Sequence, residues 1–382
     1  MKRKKADMEE LMLQLIQEWR RFTKLGGPPD VLQTREFRRV VESLRVMREA
    51  FDSAPQHLGR NYFSNFQLLA DYLLYYWPLH YQEALSILSE LPTTPRRVLD
   101  ICSGPCPVAF AALKLGCSEV FAVDQNLEAL NLGARICGRE GYPITIRKWN
   151  PHTQQLPVEG KFDLITMGYC LEELFPQTEK GWQDEQDAFI DQMLNLLNPN
   201  GYLVILDSSL PEKNQRVLNI RERFVKKKIP VQAPCVWRGE CPALANNFPC
   251  FAQREYEKPY VMKEFQRALN INLGSLKVSY LILRHPSSGW PQLPDKDYFR
   301  VVSPPSESPQ GKQFYLCGTP GKRKICSRKE ELPKESRAFQ YLKRGELISV
   351  EDALEKHNTL HIKDETKITV EAACGKPIPE VF

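Results

Sequence analysis

From Arg97 onward the chain alternates short apolar runs with stretches of helical period, and no other feature restricts its folding as strongly. The runs are RRVLDIC, EVFAVD, ITIRKW, FDLITMGY and YLVILDSS; between them lie PVAFAALKLG, NLEALNLGARICGREG and DEQDAFIDQMLNLL. Strands and helices alternating at this interval build βαβ units, and hence a parallel sheet covered by helices on both faces. Before the alternation, residues 1–90 read as a helical region, broken at GGPPD and again at Pro78, where two helices are predicted to meet. After Asp207 the pattern fails. A helical segment, PEKNQRVLNIRERFVKKK, leads into a cysteine-rich insertion over 226–255, and LKVSYLILRH, RVVSPP and KQFYLCG read as strands within 276–320 that complete the 91–225 core. Residues 286–311, rich in proline and serine, read as a loop; 311–349 form a basic extension, and 350–382 a tail with a short helix and the strand KITVEAAC.

The first strand runs into a turn and a helix as VLDICSGPCPVAF, placing Asp100 at the strand end and Gly104 in the turn. This resembles the first motif of S-adenosylmethionine-dependent methyltransferases, in which a side-chain-free turn lets the backbone approach the ligand. On that resemblance Asp124, ending the next strand, takes the ribose hydroxyls and Asn150 faces the adenine edge. A Rossmann-like class I methyltransferase sheet is implied. One departure weakens the site: where the motif has Gly-x-Gly, the chain has Gly104-Pro105-Cys106, and a side chain and a proline crowd the turn. No catalytic residue stands out. After the fourth strand come Gly168, Tyr169 and Cys170; Cys170 is either a nucleophile or a packed thiol, and Glu172 and Glu173 are either bases or solvent-facing acids at a helix start.

The stretch APCVWRGECPALANNFPCF carries Cys235, Cys241 and Cys250, each next to a proline, directly after the basic run Lys226, Lys227, Lys228. The spacing is not the Cys-x-x-Cys pairing of zinc sites, so metal binding and three reduced thiols both remain open from spacing alone. Stiff proline-flanked loops, a neighbouring basic helix and a place outside the alternating core favour metal. A fourth ligand is then needed; Cys317, at the end of KQFYLCG, is the natural candidate and Cys326 its rival. Four thiolates without histidine suit zinc or a [4Fe–4S] cluster, and the irregular spacing leans toward the cluster.

Net charge is only +5 over 382 residues, but the cations are grouped: Lys2 to Lys5, Lys226 to Lys228, and Gly321 to Gly345 with Lys322, Arg323, Lys324 and Arg328. Separated basic patches suit a long polyanion, or else form a solvated basic face. No apolar run approaches the roughly 20 residues of a membrane span. The opening MKRKKADMEELMLQLIQEW has neither the apolar core of a secretory signal nor the acid-poor composition of a presequence, so a cytoplasmic, reducing location is expected for the 11 cysteines.

Taken in order, the methyltransferase-type core, APCVWRGECP, FPCFAQREY, FRVVSPP and QFYLCGTPGK resemble the bacterial and mitochondrial methyltransferase-like assembly factors of the small ribosomal subunit. The resemblance covers about residues 60–345. It implies binding to small-subunit ribosomal RNA, association with the small ribosomal subunit as an otherwise monomeric factor, and a [4Fe–4S] cluster on Cys235, Cys241, Cys250 and Cys317. It also implies a cofactor site at Asp100, Gly104, Asp124 and Asn150. Trp77 stands where the family commonly has arginine, and Asp207-Ser208-Ser209 where it has Glu-Gly-Thr. The basic runs would then bind RNA phosphates around a structural cluster. Two alternatives are an active ribosomal RNA methyltransferase and a zinc-containing small-molecule methyltransferase.

Overall fold

The computed structural model describes residues 3–52 and 62–380. Lys2 of the amino-terminal basic block lies outside them, as do residues 53–61 of the helical region. The chain opens with two amphipathic helices, α1 (Arg3–Thr23) and α2 (Thr34–Asp52), followed by α3 (Phe66–Leu88). The alternating region supplies β1 (Arg97–Ile101), α4 (Pro107–Lys114), β2 (Glu119–Asp124), α5 (Leu127–Arg139) and β3 (Thr145–Lys148). It continues as β4 (Phe162–Gly168), the single-turn α6 (Leu171–Leu174), α7 (Trp182–Asn195) and β5 (Leu197–Ser208). Next come α8 (Pro211–Lys226), β6 (Val231–Ala233), α9 (Pro242–Ala245), β7 (Ala252–Arg254), α10 (Tyr260–Ala268) and β8 (Leu276–Arg284). The remainder is β: β9 (Tyr298–Val301), β10 (Ser306–Ser308), β11 (Gly311–Gly318), β12 (Gly321–Ser327), β13 (Leu347–Glu351), β14 (Leu354–Lys356), β15 (Thr359–His361) and β16 (Lys367–Ala372).

The chain forms two compact units. The first comprises Met1–Leu85, Pro95–Phe189 and Glu255–Leu276. Its strands are all parallel, in the order β3-β2-β1-β4. The apolar runs read from the sequence become strands because Val98, Leu99, Ile101, Ala122, Val123, Leu164, Ile165 and Met167 are all fully buried. α1 packs on this core through polar groups. Glu18, 1% exposed, takes Arg135 and Arg139 of α5 at 2.9 and 3.1 Å, and the Trp19 indole donates to buried Asp71 at 2.7 Å.

The predicted break at Pro78 is absent: α3 is one helix with Pro78 inside it. A mid-helix proline forfeits a backbone hydrogen bond. Here Leu73, Leu74, Trp77, Ala84 and Ile87 are all completely buried along the same helix, and that burial outweighs the loss.

The second unit comprises Ser86–Thr94, Ile190–Arg254 and Lys277–Phe382. In it β5 pairs with antiparallel β8, and β8 with antiparallel β6. The parallel order β3-β2-β1-β4 of the first unit is that of the first half of a Rossmann-like class I methyltransferase sheet. β9, β10 and β11 do not join β8; they enter a second sheet of order β14-β15-β12-β11-β9-β13-β16, with β10 on β11. Its core is Phe299, Val301, Phe314, Leu316, Ile325, Phe339, Ile348 and Leu360. The span 286–311, expected as loop, therefore contains β9 and β10, and the tail after Ser349 contributes strands β14, β15 and β16.

Candidate functional site

The turn after β1 holds left-handed backbone at three alternate positions: Cys102 (φ 54°), Gly104 (φ 52°) and Cys106 (φ 63°). Such φ values favour glycine, and the chain keeps glycine only at the middle one. Cys106 is fully buried, and the crowding expected of it falls on α5 rather than on the turn's open side. A Cβ added to Gly133 of α5 would stand 2.5 Å from the Cys106 sulfur and 2.6 Å from the Pro105 carbonyl carbon. Gly133→Ala is therefore expected to cost about 1–3 kcal/mol in chemical unfolding, as overpacking does, whereas Gly138→Ala on the same helix, with open space around it, is neutral or stabilising. Trp77, the departure from the resemblance's arginine, braces the turn from below: its indole donates to the Pro105 carbonyl at 2.8 Å.

Asp100 is 1% exposed and serves the turn itself. Its Oδ1 accepts from Thr166 Oγ1 at 2.6 Å, and its Oδ2 accepts from Ser103 Oγ and from Ala109 N at 3.1 Å. Cys106 gives α4 no side-chain cap, so the Asp100 carboxylate takes an amide of the first helical turn instead. Burial pushes the carboxyl up to about 6, against the pull of these donors. Asp124 accepts from Gly104 N at 2.9 Å and Asn126 N at 2.8 Å, one bond per oxygen, leaving lone pairs on each for hydroxyl donors; burial raises it too. Asn150 is half-buried after β3; its Oδ1 accepts from His152 N at 3.0 Å.

Aromatic side chains close around this turn. A Cβ on Gly104 would meet the Phe63 ring at 2.9 Å, and the Tyr62 hydroxyl bonds Glu173 within electrostatic reach of Asp124. Tyr169 stacks on His80 with centroids 3.7 Å apart and donates to Glu83, and Tyr72 Oη is 2.7 Å from His80 Nδ1. Cys170, a candidate nucleophile from the sequence, is a free thiol 3% exposed beside the Cys102 thiol, which places it among packed groups. Glu173, read as base or solvent-facing, is tied to Tyr62.

The second unit gathers the four cysteines. Cys235, Cys241, Cys250 and Cys317 line one cavity of about 260 Å³, together with Arg221, Trp237, Phe248, Tyr315, Lys322 and Arg344. Cys326 is not among the lining residues; it is buried on β12 with its sulfur 3.3 Å from His361 Nδ1. Burial and then the fields of Cys235 and Cys241 push the Cys250 thiol up to about 12, and burial with the same neighbours and Cys250 raises Cys317. Thiols raised in this way, as Cys241, Cys250 and Cys317 are, stay protonated and neutral unless a metal cation replaces their protons. Among the described residues no three Cys, His, Asp or Glu side chains converge closely enough for a single metal ion.

Helix α8 holds the cysteine loops by buried polar groups that the sequence reading missed. Asn214 binds the Cys250 backbone at both ends, donating to its carbonyl at 2.8 Å and accepting from its amide at 3.1 Å. Arg221 donates to the carbonyls of Trp237 and Gly239, each at 2.6 Å, and lies within the electrostatic reach of Cys235 and Cys241. Glu222 accepts from Cys241 N at 2.9 Å. Positions 214, 221 and 222 share one helical face, which was the available signal. Arg344 adds a bond to the Pro249 carbonyl and lies 3.7 Å from the Phe251 ring centre. The Nε of Arg221 and of Arg344 are buried without a hydrogen-bond partner. Two guanidinium groups with spare buried donors beside four sulfurs suit an anionic, thiolate-held centre.

Of the lysines and arginines proposed for RNA, Lys226 pairs with Glu222 at 3.4 Å, Lys227 with Asp191 at 2.8 Å and Arg323 with Glu355 at 2.7 Å. Lys228 and Arg328 are exposed. Lys322 and Lys324 lie over aromatic rings instead.

Residues 69–345, well over half of the chain, match the family model described as mitochondrial small ribosomal subunit Rsm22. No curated protein matches the chain. Solved structures similar to parts of it include a methyltransferase from Pyrococcus furiosus, at 16% identity and TM-score 0.35 over 54% of this chain and 82% of that one. The N-methyltransferase NodS from Bradyrhizobium japonicum WM9 is 16% identical, with TM-score 0.34 over 54% and 94%. The ribosomal protein L11 methylase from Lactobacillus delbrueckii subsp. bulgaricus is 22% identical, with TM-score 0.29 over 39% and 69%.

Proposed function

Because the chain belongs to the mitochondrial small ribosomal subunit Rsm22 family, we propose that it is a methyltransferase-fold factor that binds small-subunit ribosomal RNA and supports assembly of that subunit. In this reading Cys235, Cys241, Cys250 and Cys317 hold a [4Fe–4S] cluster whose role is structural. The observation that carries it is the shared cavity: three thiols of one loop and a fourth from β11 face the same space, with α8 gripping the backbone around each loop cysteine. The irregular spacing of the four cysteines, without a Cys-x-x-Cys pair, is the reason for reading a cluster rather than a tetrahedral zinc ion.

A bound cluster supplies a rigid four-point crosslink; the chain's own residues do the rest. Arg221 and Arg344 offset thiolate charge, and the crosslink fastens 235–250 to β11. An S-adenosylmethionine-type ligand fits the second half of the reading through Asp124, Gly104 and Asn150, with Asp100 maintaining the turn. Methyl transfer is not part of the proposal, because the residues after β4 that would meet an acceptor are taken up by the Tyr169–His80 stack and the Tyr169–Glu83 bond.

Anaerobically purified protein is expected to be brown and to contain about four iron and four sulfide per chain, as a [4Fe–4S] centre requires. It should bind small-subunit RNA with an affinity that falls steeply with salt. One zinc per chain would replace the cluster with zinc. Absence of RNA binding at low salt would overturn the functional reading.

A further inference from the structure

We propose that Tyr315, Lys322 and Lys324 on one sheet face, with Phe248 from the cysteine loop, form a platform on which unpaired RNA bases stack. This rests on the RNA-binding reading above and specifies the form of RNA that the surface takes. Strand alternation sets the face. In the β11–β12 ladder Tyr315 lies opposite Lys324 and Cys317 opposite Lys322, so all four side chains share one side. Phe314, Leu316 and Ile325 point the other way and are completely buried in the second sheet's core.

On the free side, the Lys322 ammonium sits 4.6 Å from the Phe248 ring centre and 5.4 Å from that of Tyr315; Lys324 sits 5.4 Å from Tyr315. Among the described residues neither lysine has a carboxylate partner, whereas Arg323, between them and facing the other way, is paired with Glu355. Phe248 is 53% exposed. Exposed Phe248 and half-buried Tyr315, at the rim of the cysteine cavity and bridged by half-buried lysines without acids, match a polymer that carries flat bases and phosphates together. Stacking needs bases with free faces, which a duplex hides in its interior. The lysines would neutralise phosphate and the rings would take the bases.

The test uses the full-length, metal-replete protein and a labelled single-stranded RNA of about 12 nucleotides, alone and annealed to its complement. Phe248→Leu and Tyr315→Ala, both in the wall of the cysteine cavity and so compared at wild-type metal content, are each expected to weaken single-strand binding on the order of tenfold, with an unchanged salt slope and no effect on the duplex; weakening that appears only with loss of metal overturns the platform. Lys322→Ala should instead lower the salt slope by about one. Ring variants that bind the single strand like the wild type, while the wild type itself binds, overturn the platform and leave the RNA-binding reading intact. Wild-type protein with no affinity for either RNA removes both. Ring variants that keep RNA affinity but no longer co-sediment with the small subunit assign the rings to a protein contact, and also overturn the proposal.

Discussion

Replacing Cys317 by alanine is expected to remove the metal from the purified protein, since even a lost outer-shell partner costs a metal site roughly 10–100-fold in affinity, and thereby to weaken its binding to small-subunit RNA. The same change at Cys326 should leave both unchanged. The two cysteines lie on adjacent strands and look interchangeable in sequence, since each ends or interrupts a short apolar run beside basic residues. Geometry separates them: Cys317 faces the cavity shared with Cys235, Cys241 and Cys250, while Cys326 is spent on His361.

Without the fourth thiol, three sulfurs and the guanidinium groups of Arg221 and Arg344 would face a cavity that no longer closes. Metal-binding energy in such a site is folding energy, so a protein that has lost it should also unfold at lower denaturant. Iron content, visible absorbance and RNA affinity read the three consequences separately. A Cys317→Ala protein that keeps its full metal content would move the fourth ligand elsewhere and dissolve the link between the cysteine loop and β11.

The parts of this arrangement that were legible in the sequence are those with a strong period or an unusual residue type. Apolar runs at βαβ spacing announce the sheet because strands buried on both faces leave no polar alternation to confuse them; β3, half-exposed, is found by its spacing alone. The cysteines announced themselves by type and by their flanking prolines. The second sheet was only partly visible, as separate strands without a partner. β10, β14 and β15 are three residues each, too short to show a period, and β12 (GKRKICS) reads as a basic run because its half-buried positions carry lysine and arginine.

Helix α8 shows the limit more sharply. PEKNQRVLNIRERFVKKK looks like a solvated helix, yet Asn214, Arg216 and Arg221 are each 2% exposed. For Asn214 and Arg221 that burial follows from partners brought by residues 235–250; their shared helical face is a local hint, but no local pattern names a partner that distant. The left-handed turn was half-read for a similar reason. The Cys106 substitution was visible, but its accommodation depends on Gly133, a helix away.

Asp100→Ala is expected to destabilise the protein by roughly 3 kcal/mol or more, since buried donors left without an acceptor cost about 1–3 kcal/mol each. The variant orphans the Ala109 amide at the start of α4 and strands two hydroxyls, Ser103 and Thr166, that must then find other acceptors. Asp100→Asn should be far milder. Its carbonyl oxygen can keep the Ala109 amide and Ser103, and its NH2 can donate to Thr166, whose hydroxyl accepts as readily as it donates.

The pair of variants also isolates a pH effect. The Asp100 carboxyl sits near 6 in the fold, against about 3.9 in an unfolded chain. Burial thus makes the charged form the disfavoured one. Stability from this group is fully present below about pH 4 and is lost as the pH rises through about 6, by on the order of 3 kcal/mol in total. Asparagine cannot titrate, so between pH 4 and 7 the asparagine variant should gain on the wild type by that amount in urea unfolding. Parallel stability curves would mean that the buried carboxylate is ionised at no cost, and that the acid at the end of β1 is open to solvent or ligand rather than committed to holding α4 and the turn.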